Sequence, residues 1–381
     1  MSQLYVFDRV LEEIIRNKKI KDEGGHIGIP YPFESLNRSL GAIQKESVVG
    51  VTANSGVSKS KFTRFVYIYN VYKFYKKTGY PVQIIYFPLE DSHDEVLYNM
   101  ICFYLKETYD MNISVQHLYQ MGDYDLNSFT INKIKEARGY FSDLYNILTV
   151  FDNVSTPGEI YGICKKWAMA NGVIKEHTNA DGGTEISSYT TKTDVHTIVI
   201  IDNLSNIIAE RKHEDERDAI GELVRVYCRK IMAKVFKFTV VVVQQQSQAK
   251  EKIQFAQNGR QLYEKYEPSL GDLADNLTTQ RAFHVAFGIF SPDRYPALTD
   301  YYNYDIEILG GFFRAIKILK SNRSGTTGKM IPLWFEGSSE HYEEMPQASD
   351  NVENPPEPLM KYYEKANKIR NKKTVYQLEL E

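Results

Sequence analysis

The chain has 381 residues, 43% hydrophobic and 25% charged, with a formal net charge of −3 at pH 7. That length supports one large or two modest domains with a substantial core, and the charge excludes nucleic-acid binding through overall positive charge while leaving room for a local basic groove. The sequence shows no secretory signal and no apolar run long enough to span a membrane, and its three cysteines, Cys102, Cys164 and Cys228, lie far apart without metal-ligand spacing, so they are read as reduced core thiols of a cytoplasmic protein.

Leu4, Phe7, Leu11 and Ile14 recur at helical spacing opposite Arg9, Glu12, Glu13 and Arg16, which predicts an amphipathic helix at the amino terminus. The run Lys21 to Gly25 breaks it, so residues 1–25 are read as a helix and a flexible joint. Two roles stay open for this helix: packing on its own domain, or docking on a neighbouring subunit. Residues 28–46 read as a turn, a short helix and a second turn leading into a valine-rich strand, Val48 to Val51.

A small-residue turn and a helical run follow that strand. This is the layout of a phosphate-binding loop, in which backbone N–H groups cradle a polyphosphate, a lysine reaches the β- and γ-phosphates and a hydroxyl holds Mg²⁺. The loop comprises Ala53, Asn54, Ser55, Gly56, Val57, Ser58, Lys59 and Ser60. Ala53 and Ser58 stand where the usual G-x-x-x-x-G-K-[ST] pattern has glycine. If position 58 needs a left-handed backbone, serine costs about 1–2 kcal/mol; if it opens the helix, serine costs little and its hydroxyl can cap that helix.

Three further apolar runs each deliver polar groups at their carboxyl ends: VQIIYFPLE at Glu90, TIVIIDN at Asp202, and FTVVVVQQQ at Gln244, Gln245 and Gln246. Short, fully apolar, β-branched runs are expected of central strands in a parallel sheet covered on both faces, and open α/β sheets bind ligands at that edge. Helices are predicted over about 60–77, 92–108, 129–144, 157–171 and 213–235, and residues 173–195 read as a polar surface insertion. A long polar loop from Ser247 to Asp272 carries Lys250, Lys252, Arg260 and Lys265. Strands near 284–290, 312–319 and 330–335 lack intervening helices and predict an antiparallel extension. Lys320 and Arg323 end one of them and enter a glycine-containing turn; the tail 346–381 reads as a linker and a charged helix.

Nucleoside triphosphate hydrolysis needs a phosphate cradle, a metal, a group that orients water, and a cation for developing charge. Ser60 and Asp202 are the metal-binding candidates, the latter directly or through water. Asp202 is followed by Asn203, so the water-orienting carboxylate must come from elsewhere, and Glu90 is the candidate; the alternative for Glu90 is a helix-start carboxylate beside Asp91 and Ser92. Gln244, or one of its two neighbours, is placed to sense the γ-phosphate.

The order of these segments resembles the RecA-like ATPase core of DnaB-type replicative helicases, particularly the compact versions encoded by bacteriophages. The resemblance spans about residues 26–345 and rests on VVGVTANSGVSKSKF, IIYFPLEDS, TIVIIDNLSNI, VVVVQQQSQ and LKSNRSGTTGKMIPLWFEG. It implies an α/β, RecA-like P-loop NTPase with a mostly parallel central sheet flanked by helices and an antiparallel carboxyl-terminal extension. It implies ATP and Mg²⁺ as cofactors, single-stranded DNA as the track, a homo-oligomeric, hexameric ring, and a primase or loader as partner. Catalytic roles pass to Glu90, Gln244, Lys320 and Arg323, the last acting in the next subunit's site. A phage-encoded member works in the host cytoplasm. The chain departs from the family at Ser58, at Lys320, which stands one residue further from the arginine than usual, and in lacking the usual primase-contacting helical domain before Gly24. Two other functions compete: a RecA-like recombinase forming filaments, distinguished by electron microscopy with and without DNA, and a catalytically weak ATP-binding scaffold, distinguished by nucleotide binding without DNA-stimulated hydrolysis.

Overall fold

The computed structural model describes residues 3–25, 27–122, 124–178, 184–210, 215–247, 266–296, 298–349 and 355–378. Lys250, Lys252, Arg260 and Lys265, the residues assigned to DNA contact, lie outside the described residues.

The strands in chain order are β1 (Ser47–Ala53), β2 (Val82–Pro88), β3 (Leu148–Val150), β4 (Gly172–Thr178), β5 (Thr184–Thr191), β6 (His196–Asp202), β7 (Thr239–Gln245), β8 (Val285–Phe290), β9 (Asp300–Tyr301), β10 (Tyr304–Asp305), β11 (Phe313–Ser321), β12 (Met330–Glu336) and β13 (His341–Glu344). Nine of them form one sheet in the order β13-β12-β11-β8-β1-β7-β6-β2-β3. From β8 to β3 every neighbouring pair is parallel, and β11, β12 and β13 extend the sheet antiparallel. The fold class predicted from the sequence is the one observed. β8 belongs to the parallel part, because it pairs parallel with β1.

Side-chain alternation explains why the central strands are apolar throughout. Odd-numbered Val49, Val51, Val241 and Val243 pack into one core with Ile84, Tyr86, Ile198 and Ile200. Val48, Val240, Val242, Ile85, Val199 and Ile201 pack into a second core on the opposite face. A period of two sends successive residues to opposite faces, so a strand buried on both sides has no polar position to spare. Gly50 is held by close approach: a Cβ there would lie 2.5 Å from the Phe283 ring.

Helices cover both faces. The one after the phosphate-binding loop runs continuously through Lys59–Arg64, a π-helical segment Phe65–Tyr69, and Asn70–Thr78. Its Phe62 and Val66 join the first core; it is called the P-loop helix below. His93–Tyr109 begins with a capping box from Ser92 and Glu95, and Pro157–Asn171 with one from Thr156 and Glu159. The stretch predicted as one helix over 129–144 is divided at Ala137 into Ser128–Glu136 and Arg138–Leu144.

Within the polar insertion read at 173–195, β4 pairs antiparallel with β5. Its apolar content is small: Ile174, Ile186 and Tyr189 lie against the second core, Ile186 and Tyr189 brought to one face by the register shift between Lys175 and Glu176. In the amino-terminal helix Gln3–Asp22, the side chains of Val6, Phe7, Val10, Leu11, Ile14 and Ile15 are exposed. The carboxyl-terminal helix Glu357–Leu378 buries Leu359, Tyr363 and Ala366 in a third cluster with Trp334, Phe313 and Tyr304. No helix among the described residues is long and apolar enough to cross a membrane, and the three cysteines are free and buried.

Candidate active site

The phosphate-binding loop leaves β1 at Ala53 and enters the P-loop helix at Lys59. Ser58 sits at φ 76° and ψ 36°, in the left-handed region, and its side chain makes no cap to the helix. Of the two conformations considered for this position, the strained one is therefore adopted. Lys59 is 7% exposed, and its Nζ donates to the Asn54 carbonyl at 3.3 Å. Burial pushes its ammonium pKa down, Asp202 and Glu90 oppose that, and Arg294 reinforces it. Such a lysine is poised to gain from an anion brought beside it.

Ser60 Oγ donates to Asp202 Oδ1 at 3.0 Å, and Tyr86 Oη donates to Asp202 Oδ2 at 3.3 Å. Burial pushes the Asp202 carboxyl up to about 6, against the pull of Arg64 and the Ser60 and Tyr86 hydroxyls. A hydroxyl and a carboxylate side by side next to a phosphate cradle fit Mg²⁺, which takes one or two protein oxygens and keeps several waters. The peptide bond between Asp202 and Asn203 is cis. Glu90 lies exposed two residues beyond β2, close enough to Lys59 to favour its charged form. Glu90, Lys59, Ser60 and Asp202 thus gather at the carboxyl edge of the parallel strands.

Alternation sorts the three glutamines. Gln245 continues the face of Val241 and Val243, which is the face of the P-loop helix, and pairs in register with Ala53. Gln244 points to the other face, where its amide donates to the Asn276 carbonyl at 3.1 Å and accepts from Thr279 Oγ1 at 2.7 Å. Gln246 donates to Thr52 Oγ1 at 2.7 Å and to the Ser269 carbonyl at 3.1 Å. Gln244, one of the three glutamines left open as sensor by the sequence, is thus committed to the following segment, and Gln245 is the one on the face of the phosphate loop.

Lys320 and Arg323 are elsewhere. Ser321 is level with Val285, which is level with Val49, so both cations lie at the amino edge of the parallel strands. From Val49 to Ala53 alone is about 13 Å along the strand, and the loop lies beyond. Lys320 Nζ donates to the Gln280 carbonyl at 2.9 Å. Arg323 is exposed and makes no hydrogen bond or ion pair among the described residues. Its neighbours include His284, whose pKa is lowered to about 4 by burial and then by Arg229, Arg323 and Lys320. Val48 N donates to His284 Nδ1 at 2.8 Å, as a neutral imidazole allows.

Three further residues attach to the loop and a fourth, Arg64, to groups beside it; the sequence reading named none of them as site residues. Arg294 donates to the Ser55 carbonyl, Asn54 Nδ2 donates to Tyr295 Oη at 2.9 Å, and Tyr342 Oη donates to the Ser58 carbonyl at 3.3 Å. Arg64, one helical turn after Ser60, is 2% exposed and donates to Tyr86, Asp91 and Glu340. The basic-plus-aromatic string PDRY, falling just after a strand end, is the only local signal for the first pair. Arg64 and Tyr342 offered none.

No family model matches the sequence, and no curated protein matches it. Among solved structures, the ATPase domain of a phage helicase is similar with a TM-score of 0.64 and 16% identity, over 89% of this chain and 98% of that one. A DnaB-like replicative helicase, described with its interactions with primase, is similar with a TM-score of 0.61 and 16% identity, over 88% of this chain and 66% of that one. At this level of identity the likeness concerns the fold: the chain has the RecA-like P-loop fold seen in the ATPase domains of DnaB-like helicases.

Proposed function

We propose that the chain is a DnaB-type, ATP-hydrolysing DNA helicase that moves along single-stranded DNA as a homo-oligomeric, hexameric ring in phage DNA replication. The observation that carries this is the separation of Lys59, Ser60, Glu90 and Asp202 at one edge of the sheet from Lys320 and Arg323 at the other. A cation that cannot reach its own phosphate loop can complete the loop of an adjacent copy, and a head-to-tail arrangement of that kind closes into a ring or runs on as a filament. The fold likeness favours the ring.

In this assignment Lys59 and the loop N–H groups hold the polyphosphate, and Ser60 and Asp202 hold Mg²⁺, which supplies charge neutralisation on the phosphate oxygens. Glu90 orients the attacking water by accepting its proton. Gln245, rather than Gln244, senses the γ-phosphate and passes its state into the following loop, whose Lys250, Lys252, Arg260 and Lys265 contact DNA phosphates. Arg323, with its planar and permanently charged fork, and Lys320 stabilise charge on the neighbour's phosphate. The exposed apolar row of the amino-terminal helix docks on an adjacent subunit, and a primase or loader is the expected outside partner.

The test is hydrolysis with and without single-stranded DNA, combined with the mass of the nucleotide-bound assembly. DNA-stimulated turnover in a particle of about six chains supports the assignment. Nucleotide binding without turnover supports an ATP-binding scaffold instead, which the left-handed Ser58 favours.

A further inference from the structure

The guanidinium of Arg64 is divided between two tasks. Its Nε and Nη2 donate to the two oxygens of the fully buried Glu340, at 3.0 and 2.6 Å. This bidentate pair satisfies one edge of the fork and fixes its plane. The remaining Nη1 is turned toward the site, donating to Tyr86 Oη at 3.2 Å and Asp91 Oδ2 at 3.1 Å.

A guanidinium has donors only. The Tyr86 oxygen therefore accepts from Arg64, and its own proton is left to point at Asp202 Oδ2, 3.3 Å away. Asp91 adjoins Glu90, so the same nitrogen that sets the Tyr86 proton also tethers the strand end bearing the water-orienting carboxylate. Arg64 follows Ser60 by four residues, which places both on one face of the P-loop helix. Glu340 accepts a further bond from Tyr69 Oη at 3.0 Å, and Lys61 Nζ holds the Gly337 carbonyl of the same turn at 2.7 Å. The anchor is thus rigid on the side away from the site.

We propose that Arg64 is a positioning residue that sets Asp202 through the Tyr86 hydroxyl and Glu90 through Asp91, so that the metal-holding and water-orienting carboxylates are aligned by one side chain. This rests on the ATPase assignment above, and extends it to residues outside the phosphate loop. Outer partners of metal-holding carboxylates typically contribute about tenfold to a hundredfold in metal affinity or activity.

Three variants of the full chain test it: Tyr86→Phe, which removes only the relay; Arg64→Lys, which keeps the charge but cannot span three partners; and Arg64→Met with Glu340→Met, which removes the ion pair together and strands no buried charge. A fluorescent ATP analogue is titrated with Mg²⁺ and with EDTA, and kcat and KM are measured in parallel. In folded variants the EDTA affinity should stay within about twofold, while the gain in affinity conferred by Mg²⁺ and the kcat each fall about tenfold or more, and KM in Mg²⁺ rises in step with the lost gain. Folded variants that keep the Mg²⁺ gain and kcat within about twofold of wild type overturn the proposal, as does an equal loss with and without Mg²⁺, which marks general support of the loop. Wild-type protein showing no Mg²⁺-dependent nucleotide binding would instead remove the ATPase assignment and the proposal with it.

Discussion

A serine held at φ 76° and ψ 36° carries a Cβ in a region that glycine enters freely, at a cost of about 1–2 kcal/mol. Glycine's larger freedom in the unfolded chain returns about 0.5–1 kcal/mol of that. Ser58→Gly should therefore stabilise the protein by about 0.5–1 kcal/mol, visible as a Tm rise of about 1–3 °C, with turnover kept or increased. Glu90→Gln should bind ATP and lose turnover. Undetectable turnover in both wild type and Ser58→Gly, with assembled protein and DNA present, would count for the scaffold. What was legible at this scale was what is local. Lys59, Ser60 and Asp202 were readable because a loop or a strand end declares its own chemistry. Gln245 was not singled out, although it carries the alternation of Val241 and Val243 two residues on, because three identical side chains left no chemical contrast to choose by. Arg64 was not readable, since its partners Tyr86, Asp91 and Glu340 lie 22, 27 and 276 residues away and a buried charge is defined by partners rather than by spacing.

Strands buried on both faces announce themselves as unbroken apolar runs, and β1, β2, β6 and β7 were visible for that reason. β13 was not, because HYEE has one buried residue, Tyr342, in four, and the β4–β5 pair was not because only scattered side chains touch the core. Gly50 shows how tightly the second face is filled. Gly50→Ala forces the Phe283 ring aside and should cost about 1–3 kcal/mol, read in denaturant melts as a lower midpoint at unchanged slope. The carboxyl-terminal helix is fastened differently. Burial pushes the Glu336 carboxyl up, but hydrogen bonds from Lys106, Lys365 and Trp334 outweigh it and hold the group down at about 2, with Lys106 and Lys365 at 2.8 and 2.9 Å. The folded value lies below the ordinary 4.5, so the folded state binds fewer protons across that interval and stability falls as pH drops through it. Glu336→Gln should cost about 1–3 kcal/mol at pH 7, and the difference between the two proteins should close as melts are repeated from pH 5 toward pH 2.

At the scale of the whole molecule, the site halves can be separated genetically. Arg323→Ala should abolish most hydrolysis while leaving nucleotide binding nearly intact, and Lys59→Ala should lose both binding and hydrolysis at its own loop while keeping an intact arginine for its neighbour. Mixed in equal amounts, random assortment leaves about a quarter of the interfaces with an intact loop facing an intact arginine, so partial activity should return. No rescue at any ratio, in particles shown by mass to be mixed, would argue against a shared interface. Removing residues 1–22 takes away the exposed row of Phe7, Leu11, Ile14 and Ile15 and should shift the assembly toward smaller species in mass measurements, with nucleotide binding retained.

The opposite-edge arrangement has a kinetic corollary. If Arg323 completes the neighbour's site as proposed, a solitary chain is half of two machines and all of none, holding nucleotide tightly and still idle. Rate per chain should then climb steeply with protein concentration, level off once every chain has a neighbour on each side, and decay after sudden dilution on the timescale of subunit dissociation rather than of ATP release. Synthesis level would itself act as the switch: below a threshold copy number the cell would contain loaded but silent protein, and crossing it would bring turnover on within a narrow range of expression.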